Sequence, residues 1–321
     1  MKNTTTLTFE YSLISANALI GLLKLHYGLP PTTEVTYLHQ GFNDTYLVST
    51  PAAKFILRIY RTHWKYLADI EGEAALLTLL NQHQVSVSYP IGTQSGEFVI
   101  PLDCPEGTRY AVLFTFAHGK SIPQLDAANA KQFGSQLAKL HQVTLNQHME
   151  KLSKQYTVVG ILTTTYEHLK SRIDETSGAF NEIQQIGKYL KSILDNETLT
   201  QLAQGICHGD PHYENAFFDA QEVTLFDFDF CGNGYLHYDL GSFCWYEREN
   251  EENKTQFLEG YTQVRPLSQK EIGLIPYFEV FMRIFHLGAR AKNANGIQNP
   301  IWPSTEIDKT IQNISHQLSK I

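Results

Sequence analysis

The segment from Ile206 to Phe230, ICHGDPHYENAFFDAQEVTLFDFDF, restricts the fold of this chain more than any other part of it. Acidic residues, histidines and an asparagine alternate there with short runs of Phe, Leu and Val. The Gly-Asp-Pro at 209–211 blocks a helix, because proline lacks the amide hydrogen that the helical ladder needs. The apolar runs are short enough for small strands. We therefore predict two short hairpin-linked elements, with the polar side chains in the loops.

Three residues of this segment, His208, Asp210 and Asn215, have the H-x-D-x-x-x-x-N spacing of a kinase catalytic loop. Asp227 and Asp229 follow the apolar run VTLF, where a metal-binding aspartate is expected. A carboxylate is needed to orient an attacking hydroxyl and accept its proton, which suits Asp210. Magnesium prefers oxygen ligands, which Asn215 and Asp227 would supply, with Asp229 as an additional ligand. The spacing indicates phosphoryl transfer.

A zinc site is the alternative, because His208 and His212 are four residues apart and Cys207 is adjacent. Two histidines at this spacing share a face only on a helix, and the Gly-Asp-Pro prevents one. We interpret His208 as a support of the loop. We predict that His212, two residues after the base, is a catalytic residue that approaches the γ-phosphate. Taken alone, the DFD sequence is also compatible with simple turn acids.

The rest of the chain divides into a strand-rich part and a helical part. Alternating apolar residues predict strands in the first part, and 3.6-residue periodicity predicts helices in both. The strands are expected at 34–39, 45–50, 54–61, 97–102 and 109–116, with helices at 15–27 and 65–83. Further helices are expected at 126–148, 157–173, 181–196, 238–248, 253–263, 268–291 and 304–319. We predict an α+β fold with an N-terminal antiparallel β domain at 1–116 and a helical domain at 117–321.

Composition excludes several classes of protein. Among 321 residues, 25 are Lys or Arg and 33 are Asp or Glu, so the net charge of −8 disfavours nonspecific nucleic-acid binding. The four cysteines form no CxxC pair, which fits a reducing cytoplasm. There is no run of about 18 apolar residues and no basic leader before an apolar segment. We expect a cytoplasmic protein, monomeric or homodimeric, without membrane or nucleic-acid partners.

The sequence HGDPHYEN, followed by LFDFDFCGNGYLHYDLGSF, resembles the aminoglycoside phosphotransferase and choline kinase family. That family shares the pattern HGDxHxxN, then DFD, then DLG, and its fold is like that of protein kinases. The resemblance extends from about Leu38 to Ala291. The segment from Gly260 to Ala291 is similar to type II homoserine kinases and to bacterial stress-response kinases. The resemblance implies a two-lobed kinase-like fold.

The resemblance also implies nucleotide-binding residues in the first lobe. Gly41 and Asn43 lie in a loop between the first two strands that is similar to the family's G-x-x-N-x-x-Y loop, one residue tighter at its start. Arg58 stands on the third strand where the family usually has lysine. Glu73 is the expected carboxylate partner of this cation, with Glu71 as the second choice. These residues are expected to contact or position the phosphates of ATP.

Two further positions follow from the family pattern. The segment after the last strand, with Phe114 and Phe116, is expected to bind adenine through its backbone and apolar walls. Asp239 of the DLG sequence is expected to brace the catalytic loop through backbone NH groups or the histidine. His141, on the helix after this segment, is interpreted as a packed histidine.

The acceptor site is expected in the helical lobe, but the sequence leaves its chemistry open. Trp245 and Glu247 would suit a cationic substrate, although the acidic run that follows them is also typical of a solvated helix end. Arg283, with Arg290 as the other candidate, would instead hold a carboxylate. The acceptor residues therefore do not identify the acceptor.

The residues and the resemblance together predict an ATP- and Mg²⁺-dependent phosphotransferase. Its acceptor would be the hydroxyl of a small molecule, such as an amino acid, an amino alcohol or an aminoglycoside. A stress-response-type Ser/Thr protein kinase is the alternative. A nucleotide-binding regulator with little turnover is a third, which an intact set of Asp210, Asn215 and Asp227 disfavours. The sequence does not separate ATP from GTP.

Overall fold

The computed structural model describes residues 9, 11–293 and 302–321. The first part of the chain consists mainly of strands around one central helix, and the second part consists mainly of helices. The first part contains α1 (Ala16–Tyr27), β1 (Glu34–Gln40), β2 (Asn43–Ser49), β3 (Lys54–Tyr60), α2 (Leu67–Gln82), β4 (Ile100–Cys104) and β5 (Gly107–Thr115). Next come α3 (Ala127–Thr144), β6 (Gln155–Tyr156), α4 (Val158–Lys170), α5 (Gly178–Ile193), α6 (Asn196–Leu199) and β7 (Gln204–Cys207). The last elements are β8 (Ala216–Phe218), β9 (Val223–Leu225), β10 (Gly232–Tyr235), α7 (His237–Tyr246), α8 (Glu251–Val264), α9 (Gln269–Asn293) and α10 (Ser304–Leu318).

These elements form two compact units. The first contains the described residues up to Lys120 together with Phe217–Phe226, and the second contains Ser121–Ala216 and Asp227–Ile321. The domain ranges expected from the sequence, 1–116 and 117–321, include residues 1–8, 10 and 294–301, which lie outside the described residues. The second expected range also includes the hairpin at 217–226, which belongs to the first compact unit.

The first unit is built on a five-stranded antiparallel sheet with the order β1-β2-β3-β5-β4. Alternating side chains on each strand give the sheet an apolar face. Leu19 and Leu23 of α1 are buried against Val48, Leu57 and Ile59 on that face. Helix α1 begins at the Ser15 side chain, which accepts a hydrogen bond from the Ala18 amide. The sheet positions the expected phosphate loop and Arg58.

The second unit is mainly helical, and α3 and α8 approach each other very closely. A Cβ atom on Gly134 of α3 would meet the Phe257 carbonyl, and one on Gly260 of α8 would meet the Lys131 carbonyl. Two glycines, one from each helix, thus allow backbone contact. This contact places His141 of α3 beside Tyr261 of α8, and both belong to the network described below.

A small three-stranded sheet with the order β6-β10-β7 lies within the second unit. Strand β10 pairs antiparallel with β7, so that Gly232 lies opposite Cys207. The α+β class and the central helix of the first unit, predicted from periodicity, are confirmed. The three-stranded sheet was not predicted, because strands of two to four residues are too short to show periodicity.

One helix of the described residues, α9, is long and apolar enough to cross a membrane by length and composition alone. Half of its most apolar window is buried within the protein, as in the core helix of a globular domain. Its apolar residues, including Phe278, Phe281 and Ile284, belong to the largest buried cluster of the second unit. The helix is therefore weak evidence for a membrane span.

Candidate active site

The loop from His208 to Asn215 follows β7 and is held against the segment after the DFD sequence. Gly209 has a φ of +88°, and a Cβ atom there would meet the Phe230 carbonyl. Only glycine adopts this conformation without strain and leaves room for the neighbouring backbone. The Tyr156 hydroxyl donates a hydrogen bond to the same Phe230 carbonyl. The loop and the DFD segment are thus fixed to each other through backbone contacts.

Asp239, in the first turn of α7, holds this loop in place through hydrogen bonds. Its carboxylate accepts hydrogen bonds from the main-chain amides of His208 (2.7 Å) and Gly209 (2.9 Å). Asp239 is fully buried, where a carboxylate without such donors would be costly. The sequence interpretation proposed such a contact with backbone NH groups, and the geometry fits it.

His141 supports Asp239 in turn. Its Nε2 lies 3.0 Å from Asp239 Oδ2, and its Nδ1 lies 2.7 Å from the Tyr261 hydroxyl. Burial lowers the pKa of His141, so a neutral ring donates from Nε2 and accepts at Nδ1. The sequence interpretation gave His141 only a packing role. Its spacing carries no signal, because α3 brings it to Asp239 from 98 positions away.

The Asp210 carboxylate lies in a cage of polar side chains. Its Oδ1 accepts a hydrogen bond from the Tyr246 hydroxyl at 2.8 Å and lies 4.0 Å from His286 Nε2. Its Oδ2 lies 3.5 Å from His212 Nε2 and 3.4 Å from Asn215 Nδ2. The loop thus brings together Asp210, His212 and Asn215, while α7 and α9 add Tyr246 and His286.

This cage keeps Asp210 ionised. Burial alone would raise the pKa of the Asp210 carboxyl, but the hydrogen bond and charge of His212 oppose it. Together with His286 and the Tyr246 hydroxyl, they lower that pKa to about 2. Asp210 can therefore accept a hydrogen bond from a hydroxyl at neutral pH.

His208 is fully buried under the loop. Its Nδ1 accepts a hydrogen bond from the Asp210 amide at 3.3 Å, and its ring packs 4.3 Å from that of Phe228. The ring thus links Asp210 to the DFD segment.

Among the described residues, no group of three or more His, Cys, Asp and Glu side chains is arranged to hold a metal ion.

The side chains expected to hold Mg²⁺, those of Asn215, Asp227 and Asp229, offer oxygen atoms as ligands. Asn215 Nδ2 donates to the Asp210 carbonyl at 3.0 Å, so the opposite side of the amide, its oxygen, is directed elsewhere. Asp227 has a left-handed backbone, with φ +61° and ψ +62°, which is uncommon for a residue other than glycine. Its side chain is partly exposed, whereas Asp229 is buried. Oxygen donors of this type fit a hard cation.

In the first unit, Arg58 and Glu73 form an ion pair with 3.1 Å between Nη1 and Oε1. Lys65 Nζ lies 2.6 Å from the other oxygen, Oε2, which also accepts from the Tyr60 hydroxyl. Lys65 was not among the expected site residues: the sequence placed it at the start of a predicted helix, whereas in the structure it lies between β3 and α2. Glu73 therefore orders two cations instead of one.

The expected phosphate loop is a tight connection between β1 and β2. The Asn43 side-chain oxygen accepts from the Arg61 amide at 3.3 Å, and Arg61 Nη2 donates to the Gly41 carbonyl at 3.2 Å. Phe42 stacks on Trp64, with 4.4 Å between ring centroids. Asn43 thus contributes to the shape of the loop through its side-chain oxygen.

The expected adenine segment ends β5. Phe114 is buried, and the Arg58 guanidinium carbon lies 5.5 Å from the centroid of its ring. The ring centroids of Phe116 and Phe217 are 5.8 Å apart. Gly119 follows with a φ of +92°, and a Cβ atom there would collide with the Phe218 backbone. The segment is thus anchored on the β8–β9 hairpin within the first unit.

The three expected acceptor residues have other contacts. The Trp245 ring lies between the guanidinium groups of Arg248 and Arg283, each 4.2 Å from its centroid. Arg283 also donates to the Asn313 carbonyl, and burial lowers its pKa to about 10. Glu247 accepts a hydrogen bond from Asn253 at 2.7 Å. None of these contacts joins Asp210, whose aromatic partner is the neighbouring Tyr246.

Comparison with known proteins places this geometry in context. Residues 34–267 match the model of the phosphotransferase enzyme family, APH. An uncharacterized protein, sll1119, of Synechocystis is 32% identical over 270 residues, which cover 81% of this chain and 74% of the relative. A homoserine kinase of Rhizobium etli is 28% identical over 243 residues, covering 73% and 72%.

Solved structures of similar fold include two kinases. The amicoumacin kinase hAmiN, in complex with AMP-PNP, Ca²⁺ and Ami, has a TM-score of 0.77, 19% identity, and coverage of 95% of this chain and 94% of the kinase. A microcompartment-associated aminopropanol kinase has a TM-score of 0.75, 19% identity, and coverage of 94% and 95%. The predicted kinase-like fold and the family resemblance are confirmed. This chain belongs to the phosphotransferase enzyme family.

Proposed function

We propose that this phosphotransferase moves the γ-phosphoryl group of ATP to a hydroxyl of a small molecule. The observation that carries the proposal is the position of the Asp210 carboxylate, which is held by the Tyr246 hydroxyl beside Asn215. A half-buried carboxylate whose pKa is lowered and whose orientation is fixed can accept the hydrogen of an alcohol acceptor. The similarity to homoserine, amicoumacin and aminopropanol kinases supports a small acceptor.

In the proposed reaction, the acceptor hydroxyl donates its hydrogen to Asp210 while its oxygen attacks the γ-phosphorus. The new O–P bond forms as the bond between that phosphorus and the β–γ bridging oxygen breaks. ADP leaves, and the hydroxyl proton passes to Asp210. His212, 3.5 Å from the same carboxylate, is the expected neighbour of the transferred group. Positioning provides most of the catalysis in such transfers.

Asn215 and Asp227 would hold Mg²⁺, with Asp229 as an additional ligand. When bound, the cation neutralises charge that develops on the phosphate oxygens. The His208 ring and the Asp239 carboxylate fix the loop that carries Asn215. The left-handed backbone at Asp227 turns the chain at the DFD sequence. These residues set the direction in which the donors point.

We propose that Arg58 and Lys65, which both pair with Glu73 in the first unit, contact the phosphates of ATP together with the backbone of the Gly41 loop. A buried carboxylate that pairs with two cations keeps both side chains extended. The segment from Phe114 to Phe116 is proposed to take the adenine. We further propose a cytoplasmic enzyme, monomeric or homodimeric.

The test is a screen for acceptor-dependent ADP release with ATP and Mg²⁺. The acceptors are homoserine, 1-amino-2-propanol, choline, spectinomycin and casein, and GTP replaces ATP in a parallel series. Transfer to a small compound, lost by at least 100-fold in Asp210→Asn, supports the proposal. Asp219→Asn is the matched control, because Asp219 is an exposed turn residue. Transfer to casein alone would instead identify a protein kinase.

A further inference from the structure

The Asp210 cage contains a buried polar atom that has no hydrogen-bond partner among the described residues. This atom is His286 Nε2. About a third of the His286 side chain, 34%, nevertheless reaches the surface. A buried polar atom without a partner is costly, so it indicates a missing contact. The ring edge is accessible while its nitrogen faces inward.

The distance from His286 Nε2 to Asp210 Oδ1 is too long for a direct hydrogen bond but suits a bridging atom. The two atoms are 4.0 Å apart. If an oxygen lay about 2.8 Å from both atoms, the angle at that oxygen between them would be roughly 90°, which allows one hydroxyl to make both hydrogen bonds. A hydroxyl can donate to one atom and accept from the other. The pair is therefore spaced to hold an alcohol oxygen.

The charge state of His286 supports this arrangement. Burial lowers the pKa of the His286 imidazole, although the Asp210 charge raises it. The ring is therefore neutral at pH 7, and a neutral ring can carry its hydrogen on Nε2. The ring lies among aromatic side chains, with 5.7 Å between its centroid and that of Phe285 and 6.3 Å to that of Phe230.

We infer that His286 is a catalytic residue that contacts the acceptor hydroxyl directly. Its Nε2–H donates to the hydroxyl oxygen, while the hydroxyl hydrogen is donated to Asp210 Oδ1. Two fixed contacts leave one lone pair of that oxygen to attack the γ-phosphorus, so the bonds that form and break are those of the proposed reaction. The inference rests on the proposed function. Because His286 lies on α9, this helix would recognise the hydroxyl group that all alcohol acceptors share.

The test compares His286→Phe, which keeps a ring, with His286→Gln, which keeps an N–H donor. Water is one acceptor, measured as ATP hydrolysis, and homoserine and 1-amino-2-propanol are the others. We expect His286→Phe to lower the turnover of every acceptor that wild type uses by about 10- to 100-fold, as for loss of one transition-state hydrogen bond. The KM for ATP should stay within about twofold, and His286→Gln should regain most of the rate.

His168→Gln is the control. His168 lies on α4 and contacts the carbonyl of Gly288, which is on α9 like His286, and it has no role in the proposed reaction. Wild-type turnover in His286→Phe would overturn the inference alone. Equal losses in His286→Phe and His286→Gln, together with equal losses of unfolding free energy, would also overturn it, since they indicate a structural role. A wild-type protein that transfers phosphate to neither water nor any acceptor would overturn the proposed function, and the inference with it.

Discussion

The Tyr246 hydroxyl donates a hydrogen bond of 2.8 Å to Asp210 Oδ1, so the end of α7 reaches the proposed base across 36 positions of sequence. Burial raises the pKa of the Asp210 carboxyl, and this bond opposes that effect together with the larger contributions of His212 and His286. Burial also raises the pKa of the Tyr246 hydroxyl, and the charge of Asp210 and this bond raise it further, so the hydroxyl stays protonated as the donor. The pair fixes the orientation of the carboxylate.

Tyr246→Phe should lower turnover by about 5- to 30-fold, because it removes one hydrogen bond worth roughly 1–2 kcal/mol from an ionised acid. The KM for ATP should not change, since the contact lies on the acceptor side of the reaction. Steady-state kinetics at saturating ATP measure this. Tyr189→Phe, at an exposed tyrosine of α5, is the control. A parallel rise in the KM for ATP would contradict the assignment.

Asp239→Asn should destabilise the protein by about 2–4 kcal/mol and abolish most activity. The amide presents a donor where two backbone amides and His141 also donate, which leaves buried groups unpaired. Asp219→Asn is a matched comparison, since Asp219 also accepts from two backbone amides, of Gln221 and Glu222, but is exposed. Urea unfolding should show a loss below about 1 kcal/mol for that variant. Similar losses in both would disprove the buried brace.

Arg58 and Lys65 should respond differently to removal of their charge. Arg58 is 12% exposed, whereas Lys65 is 2% exposed. Arg58→Met should raise the KM for ATP by at least about tenfold with little change in unfolding free energy. Lys65→Met should instead lower the unfolding free energy by about 2–4 kcal/mol, because it leaves Glu73 Oε2 partly unpaired. Thermal unfolding with and without ATP-Mg²⁺ separates the two effects, and a reversed pattern would assign the phosphate contact to Lys65.

The buried His237 should make stability depend on pH. Burial lowers its pKa to about 4 in the folded protein, whereas an unfolded histidine has a pKa of about 6.5. Between these values the unfolded chain binds the proton more readily. The free energy of unfolding should therefore fall as pH decreases from about 6.5 to 4, by up to about 3 kcal/mol from this residue. Urea titrations of wild type and His237→Leu measure this, and an unchanged slope in the variant would refute it.

The sequence points directly to those parts of the proposed site that lie in one continuous motif. Asp210, Asn215 and Asp227 are recognisable because their spacing is fixed by short local structure. Tyr246 and His286 reach Asp210 only through the packing of α7 and α9, and no spacing rule connects them to the loop. His286 lies in an apolar run, where a histidine is usually a packed side chain.

The same reason applies to the fold. Strands of seven residues in the first unit show alternation, so their existence could be predicted. Strands β6, β7 and β10 are stabilised by pairing with distant segments, not by local pattern. Lys65 was missed because its contact with Glu73, eight residues further along the chain, depends on how the segment between β3 and α2 folds.

The β8–β9 hairpin makes the first unit discontinuous along the chain. Residues 217–226 interrupt the second unit, and Leu225 pairs with Ser86 and Ser88 of the first unit through main-chain hydrogen bonds. A gene fragment that ends near Lys120 would encode a unit without these partners. Recombination at that point could not transfer the first unit as an intact module. Variation in acceptor use is therefore expected to accumulate by substitution within one gene, not by exchange of whole units between genes.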